Sequence, residues 1–167
     1  MASTKPSSPQ APVDSPARRR LPPLLRRAWY GLNQAFRRRM PAPKVTPDQF
    51  TALRTLSEAD PKGITQSALT SLMSSDPNTI AALTERMEKA GWVARKPHER
   101  DRRAYRLRLR PAGLRKFEQL RDIAVELQVQ ALAALPEERR EQFLADLALV
   151  ADACREAADK ASAQPQQ

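Results

Sequence analysis

The sequence contains one cysteine, one histidine and four glycines among its 167 residues. A lone cysteine excludes a disulfide within the chain, and with a lone histidine it excludes a Cys/His metal cluster. The few glycines form no phosphate-cradling loop, and a Ser/His or Cys/His catalytic pair would depend on His98 alone. We therefore expect a protein that is not an enzyme, binds no metal and carries no cofactor.

Long apolar runs are also missing. No stretch approaches the ~18 apolar residues of a membrane-spanning helix. The arginine-rich start lacks the apolar segment of a secretory signal. The length suits one domain with tails better than two full domains. These absences predict a cytoplasmic protein without a membrane partner.

Positive charge, by contrast, is abundant and unevenly placed. Lys and Arg outnumber Asp and Glu by 29 to 19, which gives a formal net charge of +10. Residues 1–44 hold ten basic groups against Asp14 alone, and residues 95–110 hold eight against Glu99 and Asp101. Such islands are either solvated surface or the footprint of a polyanion, and their concentration favours nucleic acid.

The two ends of the chain are polar and low in complexity. We predict that residues 1–23 and 161–167 are disordered, because they cannot bury enough apolar surface to offset their ordering entropy. The three arginines before Leu21 would add phosphate contacts as a flexible arm, or the start would be a cleaved organelle-type presequence. Between the tails, a helical apolar period predicts a first helix over 24–40.

Three helix-start signals follow. Thr46 to Gln49 reads as a capping box with Pro at the first helical position. Thr65 can cap a short helix, and Asp76 followed by Pro77 starts another. Two short helices joined by a tight turn indicate a helix-turn-helix. The residues expected to face the core are Phe50, Leu53, Leu56, Ala68, Leu69, Leu72, Ile80, Leu83 and Met87.

After Gly91 the apolar period changes from 3.6 to 2. Residues 92–96 and 104–110 read as two strands, the second with leucines on one face and arginines on the other. The sequence therefore predicts a basic β-hairpin directly after the helix-turn-helix.

The helix over 77–90 offers a face that suits the major groove of DNA. Asn78 and Thr79 supply hydrogen bonds near its start, Ala82 keeps the surface flat, and Arg86 lies where the helix would pass phosphates. A surface helix with small residues by chance is the alternative. The predicted DNA contacts of the helix-turn-helix are Gln66, Ser67, Ser75, Asn78, Thr79, Ala82 and Arg86.

The hairpin loop contains Asp101 and Arg103, two positions apart. Both side chains can point to the same side of a hairpin tip, so the carboxylate can hold the guanidinium extended. An arginine presented in this way suits the narrow minor groove of A/T-rich DNA. An exposed ion pair, worth roughly 0–1 kcal/mol, is the alternative. The predicted DNA contacts of the loop are Arg100, Asp101, Arg102 and Arg103.

Residues 111–160 read as two long helices with apolar stripes. The second runs ~24 residues and ~36 Å, which is too long for one small domain to cover. The outer helices therefore need a partner, and a second copy of the chain is the simplest one. Cys154 lies in the apolar stripe of the last helix, where we expect a small buried hydrophobe, with an inter-subunit disulfide as the alternative.

Several of these residues stand in a known order. Gly91-Trp92-Val93, Asp101-Arg102-Arg103 and Leu109-x-x-x-Gly113 resemble the multiple-antibiotic-resistance regulator (MarR) family, and the resemblance spans about residues 24–158. Asp101, Arg103, Leu109 and Gly113 match the spacing of the family's wing motif. Arg110 stands where the family usually has Thr, and the basic N-terminal tail lies outside the family pattern.

The resemblance implies a mainly α fold with a small β-hairpin wing. The winged helix-turn-helix would span 44–110, and dimerisation helices would span 24–40 and 111–160. It implies a homodimer on a palindromic promoter site, with the 77–90 helix in the major groove and the 97–103 wing in the minor groove. We expect a nucleoid-associated repressor of a bacterium or archaeon, although the family also includes activators. A non-specific architectural DNA-binding protein is the alternative.

The resemblance also implies an effector. Ligands of the family, often small aromatic or phenolic molecules, bind between the dimerisation helices and the DNA-binding lobe. Aromatic side chains and nearby arginines could line such a cleft and neutralise an acidic ligand, or the aromatics could be plain core. The candidate ligand-binding residues are Arg26, Trp29, Phe36, Phe50 and Arg54.

Overall fold

A computed structural model describes residues 20–41, 45–97 and 105–163. Within these ranges the chain forms six α-helices and three short β-strands, which confirms the mainly α fold with a small β wing. The elements are α1 (Leu21–Arg39), α2 (Pro47–Glu58), β1 (Ile64–Thr65), α3 (Gln66–Leu72), α4 (Pro77–Lys89), β2 (Val93–Pro97), β3 (Tyr105–Leu109), α5 (Pro111–Leu132) and α6 (Glu137–Ala163).

The predicted helix starts are confirmed. Thr46 forms a complete capping box with Gln49, each side chain bonding the other residue's backbone N–H. Thr65 accepts a hydrogen bond from the Ala68 N–H, and Asp76 accepts one from the Thr79 N–H at 2.8 Å. Each cap satisfies a backbone donor that has no partner within its helix.

One helix start, that of α1, differs from the expectation, whereas α5 begins at the expected Pro111. α1 begins at Leu21 instead of 24, because Pro22 and Pro23 occupy first-turn positions where a missing N–H costs nothing. α5 begins at Pro111 although its N-cap, Arg110, makes no side-chain cap bond.

The sheet has one strand more than the predicted hairpin. Its order is β1-β3-β2, with both pairs antiparallel, and the two-residue β1 pairs Ile64 with Leu107. The chain reaches β1 through Gly63 at φ 90°, and a Cβ there would lie 2.5 Å from the carbonyl oxygen of Leu107. The close approach of the backbone to β3 therefore requires glycine at this position.

A single core joins α1–α5 and the sheet. Leu53, Leu69 and Met87 at its centre are fully buried, as the helical period predicts. The prediction for Leu72 is wrong, because its side chain is 62% exposed. Met73, four positions after Leu69, packs against the core in its place.

The outer helices are less covered. No side chain of α6 between residues 137 and 160 is buried, and Cys154 is exposed in the single chain, so its predicted burial is wrong at this level. Large apolar side chains of α1, α5 and α6 also face outward: Leu25, Trp29, Leu32, Val125, Val129, Phe143 and Leu149. None of the described helices has an apolar stretch long enough to cross a membrane.

Candidate nucleic-acid interface and effector cavity

The outward face of α4 is small and polar. Ile80, Leu83 and Met87 turn into the core, while Asn78, Thr79, Ala82 and Arg86 are exposed. The Arg86 Nε–H donates to the Ala82 carbonyl of its own helix at 3.2 Å. The structure thus brings the predicted α4 contacts together on one free face.

Asp76 fixes the start of this face. Hydrogen bonds from Thr79 hold the pKa of the Asp76 carboxyl below its ordinary value, with the Thr79 side chain contributing most. The positive end of the helix dipole also favours the charged carboxylate of Asp76. The cap and the dipole therefore stabilise the same protonation state.

The remaining predicted contacts of the helix-turn-helix lie in the turn before α4 and in the first turn of α3. Ser74 adopts φ 47°, the left-handed conformation that lets the chain reverse between α3 and α4. Ser75 and Gln66 are half-buried, and Ser67 is exposed with its hydroxyl 3.0 Å from that of Thr65. Gln66 and Ser75 are therefore less open than the α4 set, whereas Ser67 is as exposed.

The charges near the end of α4 are paired on the surface. Lys89 Nζ lies 2.7 Å from Glu85 Oε1, and this contact is the main cause that lowers the pKa of the Glu85 carboxyl. Both side chains are well exposed. The pair reduces the negative charge that Glu85 would otherwise present beside a phosphate backbone.

The hairpin carries cations on its outer face. Lys96 lies directly opposite Arg106, and Arg108 lies opposite Ala94. Arg106 donates to the Gly63 carbonyl at 2.8 Å, which ties the hairpin to the turn before β1. Like charges directly opposite in a sheet are unfavourable unless an anion is near. The predicted loop contacts Arg100, Asp101, Arg102 and Arg103, and also His98, lie outside the described residues.

Sequence reasoning missed two polar residues at the junction of helix and hairpin. Arg95 of β2 contacts Thr84 and Glu88 of α4, and Thr84 is fully buried. The strand period contained a signal, because Arg95 stands two positions after the buried Val93 and so shares its inward face.

A cavity of about 330 Å³ opens between α1, α2, α5 and α6. Of the candidate ligand residues, Trp29, Phe36, Phe50 and Arg54 line it, and Arg26 does not. Phe36 and Phe50 also belong to the core, with ring centroids 5.0 Å apart. These two rings can therefore both pack in the core and line a ligand cleft.

Arg54 is the cation at this cavity. Its Nε lies 2.9 Å from Glu58 Oε1 one turn later, and both side chains are about 60% exposed. A surface pair of this kind is weak. The guanidinium can therefore exchange Glu58 for a carboxylate in the cavity at little cost.

Known proteins resemble this chain in sequence and fold. The sequence profile of the MarR family matches residues 45–105. A crystal structure of a probable transcriptional regulator from Pseudomonas aeruginosa is 30% identical, covers 82% of this chain and 97% of its own, and superposes with a TM-score of 0.70. No curated protein matches the sequence.

Two further solved structures share the fold at lower identity. MepR of Staphylococcus aureus in complex with DNA is 22% identical, with a TM-score of 0.71 over 78% of this chain and 95% of MepR. BpsR of Bordetella bronchiseptica, whose DNA binding is regulated by 6-hydroxynicotinic acid, is 21% identical, with a TM-score of 0.71 over 87% of this chain and 99% of BpsR.

The profile match covers the helix-turn-helix and β2 and ends at the first residue of β3, and the structural likeness extends to the outer helices. The chain therefore belongs to the MarR family of winged helix-turn-helix transcriptional regulators.

Proposed function

We propose that the protein is a homodimeric, sequence-specific repressor that binds a palindromic promoter site and is released by a small aromatic or phenolic ligand. The observation that carries this proposal is the juxtaposition of a free, small-residue face on α4 with a cationic hairpin. α4 would read base edges in the major groove, while the loop arginines, above all Arg103, would enter the minor groove.

The uncovered outer helices support the homodimer. Leu25, Trp29 and Leu32 of α1 and Leu149 of α6 leave a large apolar area exposed on the single chain. A second apolar cavity, about 550 Å³, lies between α1, α5 and the middle of α6. A two-fold pairing through these helices would bury this surface and place two copies of α4 about one DNA turn apart, ~34–36 Å.

The cavity between α1, α2, α5 and α6 supports the effector. Its apolar wall suits an aromatic ring, and Arg54 at its edge suits a carboxylate or phenolate. The regulation of BpsR by an aromatic acid is consistent with this chemistry. A ligand held there would contact both the outer helices and α2, which packs against α3 and α4.

The test is selection of bound DNA from a pool of random duplexes at ~0.15 M salt, a concentration at which phosphate contacts are partly screened. We expect enrichment of an inverted repeat whose half-sites lie about one turn apart. Binding without an enriched sequence would favour the architectural alternative. Absence of binding, with and without added aromatic acids, would contradict both.

The dimer and the effector have their own measurements. Sedimentation of the free protein should give twice the mass of one chain. An aromatic acid such as salicylate should weaken binding to the enriched duplex, and Arg54→Gln should reduce that effect. Arg26→Gln is the matched control, because Arg26 lies on α1 but does not line the cavity.

A further inference from the structure

Arg95 joins the hairpin to the reading helix. It stands on β2 opposite Leu107 of β3, and its side chain crosses to α4. The Arg95 Nη2–H donates to Thr84 Oγ1 at 3.0 Å, and Arg95 Nε lies 3.1 Å from Glu88 Oε2.

The hydrogen-bond polarity of this junction is fully determined. Arginine has only donors, so the Thr84 hydroxyl must accept from Arg95 and give its own hydrogen elsewhere. It gives that hydrogen to the backbone of α4, where the carbonyls of Ile80 and Ala81 lie at 2.8 and 3.0 Å. Thr84 is fully buried, so water cannot replace either bond.

The ion pair is partly removed from solvent. The Arg95 side chain is 30% exposed, and its Nε is buried without a well-aligned hydrogen-bond partner. The short distance to Glu88 Oε2 with poor alignment describes an electrostatic contact more than a directed bond. A guanidinium held in this way is costly to leave without its carboxylate.

Other contacts hold the hairpin to different elements. Arg106 ties β3 to the turn before β1, and the Arg110 N–H donates to the Trp92 carbonyl at 2.9 Å at the base. The junction of Arg95 with Thr84 and Glu88 is the polar side-chain link from the hairpin to α4 among the described residues. Together with the apolar packing of Val93 and Leu107 against α4 in the shared core, it sets the angle between the hairpin and the helix.

We propose that Arg95, with Thr84 and Glu88, is a positioning residue that fixes the wing relative to α4, so that both reach the same DNA half-site. The inference rests on the proposed function, since it concerns how the two reading elements act together. Arg95 touches no DNA in this role; it holds β2 and β3 in one orientation before binding, so that less rearrangement opposes binding.

The test is a double-mutant cycle on the selected duplex. Arg103→Ala should weaken binding about tenfold in the wild type and less than about threefold in Arg95→Gln, because a misplaced wing gains little from its arginine. Altering a base pair read by α4 should reduce the affinity by the same factor in the wild type and in Arg95→Gln. An equal Arg103→Ala penalty in both backgrounds would overturn the inference.

Thr84 provides the matched pair of variants. Thr84→Val keeps the buried volume but removes the acceptor for Arg95, and should reproduce the effect of Arg95→Gln. Thr84→Ser keeps the hydroxyl, so in this variant Arg103→Ala should weaken binding as much as it does in the wild type. Identical behaviour of the valine and serine variants would contradict the role of the hydroxyl.

Amide hydrogen exchange separates this inference from the proposed function, because it needs no DNA. Exchange in Val93–Pro97 and Tyr105–Leu109 should be faster in Thr84→Val than in Thr84→Ser, while α2 is unchanged. If the wild type selects no sequence, the proposed function fails and the DNA role of Arg95 fails with it. If the wild type selects a sequence, but Thr84→Val does not change amide exchange and Arg95→Gln does not change the effect of Arg103→Ala, the positioning role alone is wrong.

Discussion

At the scale of single residues, Gly113 shows how one missing Cβ shapes the fold. A Cβ on Gly113 would overlap the carbonyl oxygen of Trp92, which already accepts a bond from Arg110. The helical turn that opens α5 is therefore pressed against the backbone at the start of β2. This contact gives a physical reason for the glycine of the wing motif.

We predict that Gly113→Ala lowers the free energy of unfolding by about 2 kcal/mol or more. The new Cβ would meet the Trp92 backbone, which cannot move aside as a flexible side chain could. Gly31→Ala is the control. It adds a Cβ to a helix interior with nothing within 4 Å and should raise stability by up to about 1 kcal/mol. Chemical denaturation measures the free energy of unfolding of both variants. A Gly113→Ala variant as stable as the wild type would show that α5 can shift away from Trp92.

Asp76 gives a prediction on pH. Its pKa is lowered in the folded chain, so the stabilisation is present above the ordinary value of 3.8 and is lost as the pH falls through the lowered folded value. Asp76→Ala should lower the melting temperature at pH 7 and lose that difference in strong acid. Asp76→Asn, an uncharged cap, should show a weaker dependence on pH. A difference from alanine that persists in strong acid would contradict the cap.

At the scale of elements, local signals predicted most of the architecture. The caps at Thr46, Thr65 and Asp76 and the change of period after Gly91 depend on neighbours within four residues, and the structure confirms them. β1 was missed because two residues have no period, and their pairing partner lies some forty positions away in β3.

The misplaced residues have a similar explanation. Leu72 lies in the last turn of α3, where either of two neighbouring positions can face the core, and Met73 takes that place. Thr84 is polar but buried, since Arg95 of the following strand and two carbonyls of α4 satisfy its hydroxyl. Of the candidate site, the α4 face followed from helical period and the cavity residues from the family resemblance, whereas the Arg95 junction needed tertiary contacts.

The exposed face of α4 carries the third prediction. Asn78→Ala should relax the preference at one base pair by about 1–3 kcal/mol, because a side-chain amide reads a base edge. Arg86→Gln should weaken all sequences equally and reduce the log–log salt slope by about 0.9, as expected for one phosphate contact. Titrations of matched and mismatched duplexes at several salt concentrations distinguish the two effects. Interchanged outcomes would mean that the helix is rotated in the groove.

At the scale of the whole molecule, the chain looks incomplete by itself. Every side chain from Ala151 to Lys160 is exposed, and apolar groups of three helices face outward. A domain with its own full core would not leave such a surface open. The homodimer proposed above would explain both observations.

We predict that Leu149→Glu weakens self-association by about tenfold or more, because a charge in an apolar interface has no partner. The single chain should remain folded, because the Leu149 side chain is 69% exposed and makes little contact with the rest of the chain. Glu141→Gln, an exposed polar change on the same helix, is the control. Sedimentation over a range of concentrations measures the effect, and an unchanged dimer would place the interface elsewhere.

The cavity shares one wall, α2, with the helix-turn-helix, and this has a thermodynamic consequence. Phe50 and Thr51 line the cavity, while Leu53 and Leu56 on the same helix lie in the core shared with α4. If a shift of α2 that admits a molecule also displaces α4 from its DNA-binding position, that molecule must bind the DNA-bound protein more weakly, by the same factor by which it weakens DNA binding. For the effector proposed above, operator DNA would inhibit capture, and the effector concentration needed for release would rise with the concentration of free operator.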